Sequence, residues 1–187
     1  KAAMFQHYVN QPRFKLCLMS HQHPEYLDAG FNHTGLAPWL VDFIKPYIKT
    51  GLPASQQLKY AFLPVVDGLM PAFTGFLWPL LSNSVVFKQE SSESKWFYDA
   101  LVPYEHYIPI KHDMSDIIEK YLWAIQNEKK CQQISANATN FVLNNLTTED
   151  LYLYVFALLQ KYASLQDFDL NSLEQETETH AGWVRIR

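Results

Sequence analysis

Short apolar runs alternate with longer apolar or aromatic segments in the central part of the chain, residues 58–110. The short runs have the length of strands, and the segments between them have the length of helices. Strands that alternate with helices are typical of a parallel sheet covered on both faces, so the expected fold class is α/β. The pattern predicts strands at Tyr60–Val66, Ser84–Phe87 and Tyr107–Ile110, with helices at Met70–Leu81 and Ser94–Leu101.

Apolar residues recur at helical spacing after the sheet, and they predict helices over residues 115–126, 129–144 and 148–162. After Leu165 the chain becomes polar and acidic. A segment of that composition buries too little apolar surface to fold alone, so we expect residues 167–187 to be a disordered tail or part of a further element.

Composition limits the partners that the chain can have. Hydrophobic residues make up 48% of the 187 residues, which is enough for one core, and the formal net charge is −4. Because there is no basic run, nucleic acid is not expected as a partner. No apolar run reaches the roughly 18 residues of a membrane span. The high aromatic content of 15% fits either a sugar or nucleotide pocket or ordinary core packing.

Cysteines and possible modification sites constrain the compartment weakly. Cys17 and Cys131 lie far apart and form no metal-binding spacing, so they either pair in an oxidising compartment or remain free in the core. Asn-x-Thr triplets at Asn32, Asn137 and Asn145 fit the pattern for N-glycosylation and point toward the secretory pathway.

The first candidate site is Asp67-Gly68, at the end of the first predicted strand. Ligands of such sheets bind at the carboxyl ends of the strands, next to helix N-termini. Glycine lets backbone approach a ligand closely, and the N–H groups of residues 69–72 would face a diphosphate. A purely structural turn fits the same residues, since the Walker and Rossmann glycine patterns are absent.

The second candidate site follows the next strand. Lys88 could neutralise a phosphate there, and the hydroxyls of Ser91 and Ser92 could bind a ribose or sugar. The alternative is a solvated loop whose serines cap a helix.

The central sequence also resembles a known family. SNSVVFKQES and WFYDALVPYEHYIPIKHDMSDIIEK, within residues 82–120, are similar to the protein O-glucosyltransferase and O-xylosyltransferase family, glycosyltransferase family 90. Upstream, Arg13, Leu16, Ser20 and His23-Pro24-Glu25 match another segment of its pattern. The resemblance covers residues 8–166.

The resemblance implies a two-domain GT-B architecture in which this chain is the C-terminal, Rossmann-like half with closing helices. Residues 1–57 would then be a linker and remnant of the inter-domain region, and residues 58–166 the sugar-nucleotide-binding domain. The implied reaction is transfer of a hexose or pentose from a UDP-sugar to a hydroxyl of a protein serine or a glycan, with inversion. No metal or other cofactor is implied, and the catalytic base would be an acidic residue of the N-terminal half, outside this chain.

The resemblance also implies a location. A eukaryotic member would work in the endoplasmic reticulum lumen or elsewhere in the secretory pathway, and a bacterial one in the cytoplasm or at the membrane.

By resemblance, the donor-binding residues are Arg13, Asp67, Gly68, Leu69, Ala72, Thr74, Lys88, Ser91, Ser92 and Lys95. Several positions depart from the family pattern: Thr74 replaces an arginine, Lys95 replaces a glutamate, and an Arg-Gly pair expected before Arg13 is missing. Two lost arginines would remove two diphosphate contacts, each worth about 1.5–3 kcal/mol. A second hypothesis is therefore a non-catalytic relative that serves as a binding or scaffold module. A third is an unrelated nucleotide-binding α/β domain.

Overall fold

A computed structural model of the protein describes residues 2–32, 38–68, 70–72 and 74–167. Within them the chain forms helices at both ends and a small sheet in the middle. The α-helices are α1 (Ala2–Val9), α2 (Pro12–Gln22), α3 (Pro38–Ile44), α4 (Ala54–Gln57), α5 (Thr74–Leu80), α6 (Ile117–Gln126), α7 (Glu128–Asn145) and α8 (Thr148–Ala163). The strands are β1 (Phe62–Val65), β2 (Val85–Gln89) and β3 (Ile108–Ile110), and 3₁₀ turns occur at Lys45–Tyr47 and Tyr98–Ala100.

The three strands form one parallel sheet in the order β1-β2-β3. β1 pairs with β2 so that Val65 lies opposite Lys88, and β2 pairs with β3 so that Gln89 lies opposite Ile110. All five residues of β2 are buried, as expected for a central strand covered on both faces. The predicted α/β class and the parallel sheet are confirmed, and all three strands fall within one or two residues of their predicted positions.

Two of the predicted helices differ from the structure. The helix expected at Met70–Leu81 begins only at Thr74, because the preceding backbone folds over Asp67 and the Ala72 N–H donates to its carboxylate. The prediction of a helix at Ser94–Leu101 is wrong, since only the 3₁₀ turn at Tyr98–Ala100 forms there. Tyr98 donates its hydroxyl to the Ala72 carbonyl, and this contact between segments replaces a regular helix.

Apolar residues pack against each face of the sheet. One buried cluster joins alternate residues of β2 and β3 to α2, α6 and the first half of α7. The other joins β1 and β2 to α5, the segment around Phe97 and the second half of α7. Because side chains alternate across a strand, Val85 and Phe87 point into the first cluster, while Val86 and Lys88 point toward the second. Helix α7 therefore contributes to both sides of the core.

The N-terminal helices build a third, aromatic cluster around Phe14, Leu40 and Ile44. Helix α2 also places Leu16 in the core against the sheet. Both Cys17 and Cys131 are buried free thiols, so of the two alternatives the unpaired one is confirmed. Burial raises the pKa of Cys17 to about 11, which keeps the thiol protonated at neutral pH.

The chain divides into two compact units after Thr147, and the described part of the second contains α8. The predicted division at residue 57 and the predicted role of residues 1–57 stay predictions, and most of the proposed tail, from residue 168, lies outside the described residues. Among the described helices none is long and apolar enough to cross a bilayer.

Truncating Ile134 should destabilise the protein strongly. Ile134 is fully buried on α7 in the first cluster, and Ile→Ala changes at such positions cost about 2–5 kcal/mol because they leave a cavity. Leu143, on the same helix, is 61% exposed, and Leu143→Ala should change the unfolding free energy by less than about 0.5 kcal/mol. Urea unfolding of both variants measures the difference, and equal losses would contradict this packing.

Candidate functional site

The candidate site lies where β1 and β2 end side by side. Asp67 and Gly68 follow β1, and Lys88 is the penultimate residue of β2. The pairing of Val65 with Lys88 brings the two predicted sites to one edge of the sheet. The two segments that sequence reasoning treated separately therefore form one site.

Asp67 and Lys88 form a buried ion pair. The Lys88 ammonium lies 3.3 Å from each carboxylate oxygen of Asp67. Only 5% of the Lys88 side chain and 6% of the Asp67 side chain are exposed. The ammonium also donates to the Gln89 carbonyl at 2.8 Å. It lies 5.8 Å from the ring centre of Phe76 and 5.4 Å from that of Tyr98, within range of cation–π attraction. Lys88 is thus held by protein groups on several sides.

The site keeps the Asp67 carboxylate ionised. Burial alone raises the pKa of this carboxyl, but hydrogen bonds from the Ala72 N–H and Ser91, together with the Lys88 charge, outweigh burial and hold the pKa below its usual value. Burial lowers the pKa of Lys88, and the attraction of Asp67 opposes that change. Each side chain therefore stays charged in the buried site because the other is present.

Arg13 reaches the same turn from α2. Its Nε donates to the Asp67 carbonyl at 3.2 Å. A Cβ added to Gly68 would lie 2.8 Å from Nη2 of Arg13, so the absence of a side chain at Gly68 is what lets the guanidinium approach the backbone. The bond to Asp67 uses one of the five N–H donors of the guanidinium, and residue 13 is exposed. Arg13 is therefore a cation with donors available at the solvent-facing side of the turn.

Sequence reasoning missed Gln89 as a residue of the candidate site. Its side-chain oxygen accepts the Asp67 N–H at 2.9 Å, and its amide nitrogen lies 2.8 Å from Nδ1 of His112. Since the amide donates toward His112, Nδ1 acts as the acceptor. Gln89 is buried, and its contacts link the strand to the turn after β1 and to the loop after β3. Gln89 follows Lys88 in the Lys-Gln pair of the family pattern, and this position could have indicated that it belongs to the site.

A pocket of about 380 Å³ opens beside the ion pair. Lys88, Tyr98 and the hydroxyl-bearing residues Ser91 and Ser92 belong to its lining. The carboxylate residues of the lining are Glu90, Glu93 and Asp99. Because the charge of Lys88 is already paired with Asp67, the lining offers many hydrogen-bond acceptors and an excess of negative charge.

The remaining predicted site residues have different positions. Ala72 lies in the turn and donates to Asp67, and Thr74 is the first residue of α5. Leu69 lies outside the described residues. Lys95 is half-buried and follows Ser94, which lines the pocket. In the described part of the chain no three His, Cys, Asp or Glu side chains are grouped as metal ligands would be.

Acid should remove the stabilisation that the Asp67 carboxylate provides. Its folded pKa is lowered, so the contribution is fully present above the unfolded value of about 3.9 and is lost as pH falls through the folded value. Asp67→Asn leaves Lys88 buried without its partner, which typically costs about 3–5 kcal/mol at pH 7. Urea unfolding from pH 7 to pH 3 should show the gap between wild type and Asp67→Asn narrowing below about pH 4.

The double variant Asp67→Asn/Lys88→Met is the matched control. It removes both charges and should recover part of the stability lost at pH 7, because no uncompensated charge remains buried. Additive losses in the double variant would show that the two side chains do not interact.

Comparisons with known proteins identify the family of the chain. The sequence model described as Glycosyl transferase family 90 matches residues 6–184. Protein O-glucosyltransferase 3 of Mus musculus is 34% identical over 157 residues, which is 83% of this chain and 30% of that protein. Protein O-glucosyltransferase 2 of Danio rerio is 36% identical over 108 residues, 58% of this chain and 21% of that protein.

A viral protein is also similar. Uncharacterized protein 179R of Invertebrate iridescent virus 6 is 34% identical over 116 residues, which is 59% of this chain and 10% of that protein. The chain thus spans less than a third of the length of these relatives. The family model, however, covers nearly the whole chain, and the match replaces the hypothesis of an unrelated nucleotide-binding domain. The chain belongs to glycosyl transferase family 90.

Proposed function

We propose that this chain is the donor-binding half of a UDP-sugar-dependent glycosyltransferase of GT-B architecture. It would act with an N-terminal half and transfer the sugar to a hydroxyl of a protein or glycan. The observation that carries the proposal is the exposed Arg13 guanidinium, which donates to the Asp67 carbonyl and occupies the space beside Gly68 where a side chain would lie. An exposed cation beside a side-chain-free turn suits a diphosphate, which needs both charge neutralisation and close backbone approach.

Charge divides the site into two parts with different uses. On the Arg13 side, N–H donors and a positive charge would hold the diphosphate and stabilise it as the leaving group. On the pocket side, the hydroxyls of Ser91 and Ser92 and the carboxylates of Glu90 and Glu93 suit a neutral group with many O–H donors, as in a ribose or hexose. The negatively charged pocket would repel the diphosphate. The donor would therefore bind with its diphosphate at Arg13 and its neutral ribose or hexose in the pocket.

Lys88 has an indirect part in this proposal. The sequence suggested a cation that touches phosphate, but the ammonium is paired with Asp67 and donates to the Gln89 carbonyl. Its role would be to hold the turn that presents Gly68 and Arg13. A Lys88→Ala change would remove a structural partner and would not report on ligand contact alone.

The reaction would proceed with inversion and without a metal ion. An acidic base in the N-terminal half would deprotonate the acceptor hydroxyl while the Arg13 guanidinium takes up the charge of the departing UDP. The proposed location is the endoplasmic reticulum lumen, and the Asn-x-Thr triplets support it. Relatives named protein O-glucosyltransferases support a protein acceptor.

A second candidate function is a non-catalytic binding module. Thr74 stands at the first position of α5 where the family pattern has an arginine, and the pocket lining carries three carboxylates against one paired lysine. A site with fewer cations binds diphosphate more weakly. A measurement of UDP binding distinguishes the two functions, because the glycosyltransferase requires binding and the non-catalytic module does not.

UDP should raise the melting temperature of the chain, and Arg13→Ala should abolish the rise. Loss of a charge-assisted contact costs about 1.5–3 kcal/mol, which weakens affinity by roughly one to two orders of magnitude. Gly68→Ala should weaken binding in the same direction, because its Cβ would displace the guanidinium. Thermal shift with UDP and UDP-glucose measures both effects.

Lys15→Ala is the matched control, because it removes a positive charge from the same helix and should leave the UDP response unchanged. If UDP shifts wild type and Arg13→Ala equally, the diphosphate does not bind at this turn. If a longer protein that includes the N-terminal half also fails to respond, the non-catalytic function is favoured.

A further inference from the structure

Asp67 is held from three directions, and each contact uses a different polar group of the residue. Its carboxylate pairs with Lys88, and its carbonyl accepts from Arg13. Its N–H donates to the side-chain oxygen of Gln89 at 2.9 Å. The first two contacts belong to the ion pair and to the proposed diphosphate contact. The third leads away from both, through Gln89 to His112.

The Asp67 N–H needs this side-chain acceptor because the backbone ladder does not reach it. Pairing between β1 and β2 ends where Val65 lies opposite Lys88, so Asp67 lies beyond the ladder. The Gln89 carbonyl on β2 already accepts from the Lys88 ammonium. Asp67 is 5% exposed, and a buried backbone N–H without an acceptor is costly. The side chain of Gln89 therefore takes the place of a strand partner.

The buried Gln89 amide has one orientation that satisfies both of its neighbours. A backbone N–H is always a donor, so the Gln89 atom that faces the Asp67 N–H is the oxygen. The Gln89 nitrogen then donates to Nδ1 of His112 at 2.8 Å, which requires Nδ1 to carry no proton. The neutral ring therefore carries its proton on Nε2. Because Gln89 is 2% exposed, both of its contacts are shielded from water.

His112 belongs to an ordered loop after β3. The Lys111 N–H donates to the Asp116 carboxylate at 2.8 Å, and the Met114 N–H donates to the Lys111 carbonyl at 3.0 Å. Met114 is fully buried and Asp116 is 8% exposed, so the loop is anchored in the core. His112 itself is exposed, and among the described residues its ring is hydrogen-bonded only to Gln89. The ring thus connects a fixed loop to the Gln89 amide.

We propose that Gln89 and His112 are positioning residues for the diphosphate. Together they hold the Asp67-Gly68 turn in the conformation that presents its backbone beside Arg13, and His112 acts through Nδ1 and Gln89 without touching the ligand. A turn already fixed in its bound conformation loses less conformational freedom when a ligand binds, which strengthens binding. The choice of ligand rests on the proposed function, whereas the hold on the turn rests on the contacts alone.

Hydrogen exchange at the Asp67 amide, followed by NMR on the ¹⁵N-labelled chain, tests the hold on the turn. His112→Ala leaves the Gln89 nitrogen without its acceptor and should speed this exchange by about two- to tenfold, the effect of one weakened hydrogen bond. Amides of β2 should keep their rates, which excludes a loss of global stability. His112→Asn should restore slow exchange, because an asparagine oxygen can replace Nδ1 as the acceptor. Unchanged exchange at Asp67 in His112→Ala would overturn the proposal.

The ring of His112 gives a second, spectroscopic readout. At pH 8, where histidine side chains are mostly neutral, long-range ¹H–¹⁵N correlation should show the proton of His112 on Nε2. The exposed His21 on α2 serves as the reference ring. A proton on Nδ1 of His112 would overturn the proposal, because Gln89 could not then donate to the ring.

Titration calorimetry with UDP tests the effect on the ligand. His112→Ala should weaken UDP binding about two- to tenfold, and His112→Asn should retain the wild-type affinity. His21→Ala is the matched control, because it removes another exposed histidine and should change neither the affinity nor the exchange at Asp67.

The remaining outcomes separate this proposal from the proposed function. If His112→Gln restores UDP affinity and His112→Asn does not, Nε2 contacts the ligand directly and the positioning role is wrong, because a glutamine amide reaches the place of Nε2. Faster exchange in His112→Ala with unchanged UDP affinity would also overturn that role. If the wild-type chain binds no UDP, the proposed function fails, and exchange at Asp67 still decides whether His112 and Gln89 hold the turn.

Discussion

Two opposite charges, the Asp67 carboxylate and the Lys88 ammonium, meet at the ends of neighbouring strands with almost no exposure to water, and the site is arranged around them. A single buried charge would be strongly destabilising, so each group requires the other. The Asp67 carboxylate also accepts the Ala72 N–H, and the Ala72 carbonyl accepts the Tyr98 hydroxyl at 2.5 Å. The ion pair thus joins the turn after β1 to the segment after β2.

The ion pair also determines which cation can serve a ligand. Lys88 is surrounded by Asp67, the Gln89 carbonyl and two aromatic rings, whereas Arg13 lies at the exposed side of the same turn. A buried cation such as Lys88 holds the backbone around it in place. An exposed cation such as Arg13 can replace its water molecules with the oxygens of a phosphate. The lysine most prominent in the sequence is therefore paired within the fold, and the arginine contributed by a preceding helix is the proposed ligand contact.

Local pattern predicted the strands well because buried parallel strands are short apolar runs bounded by turn residues. It failed for residues 94–101, where an aromatic segment of helical length forms only a short turn, since Tyr98 is bonded to Ala72 in another segment. Gln89 and His112 were missed for a similar reason: their contact joins residues distant in sequence, and the Lys88-Gln89 motif did not indicate it.

The sequence by itself determined the family and the α/β class and pointed to the sheet edge proposed as the ligand site, because apolar periodicity and an ordered set of motifs are properties of neighbouring residues. Only the tertiary structure decided that Arg13 approaches Gly68 and that Lys88 is neutralised by Asp67. Those outcomes depend on burial and on contacts between distant segments, and the chain must fold before either exists.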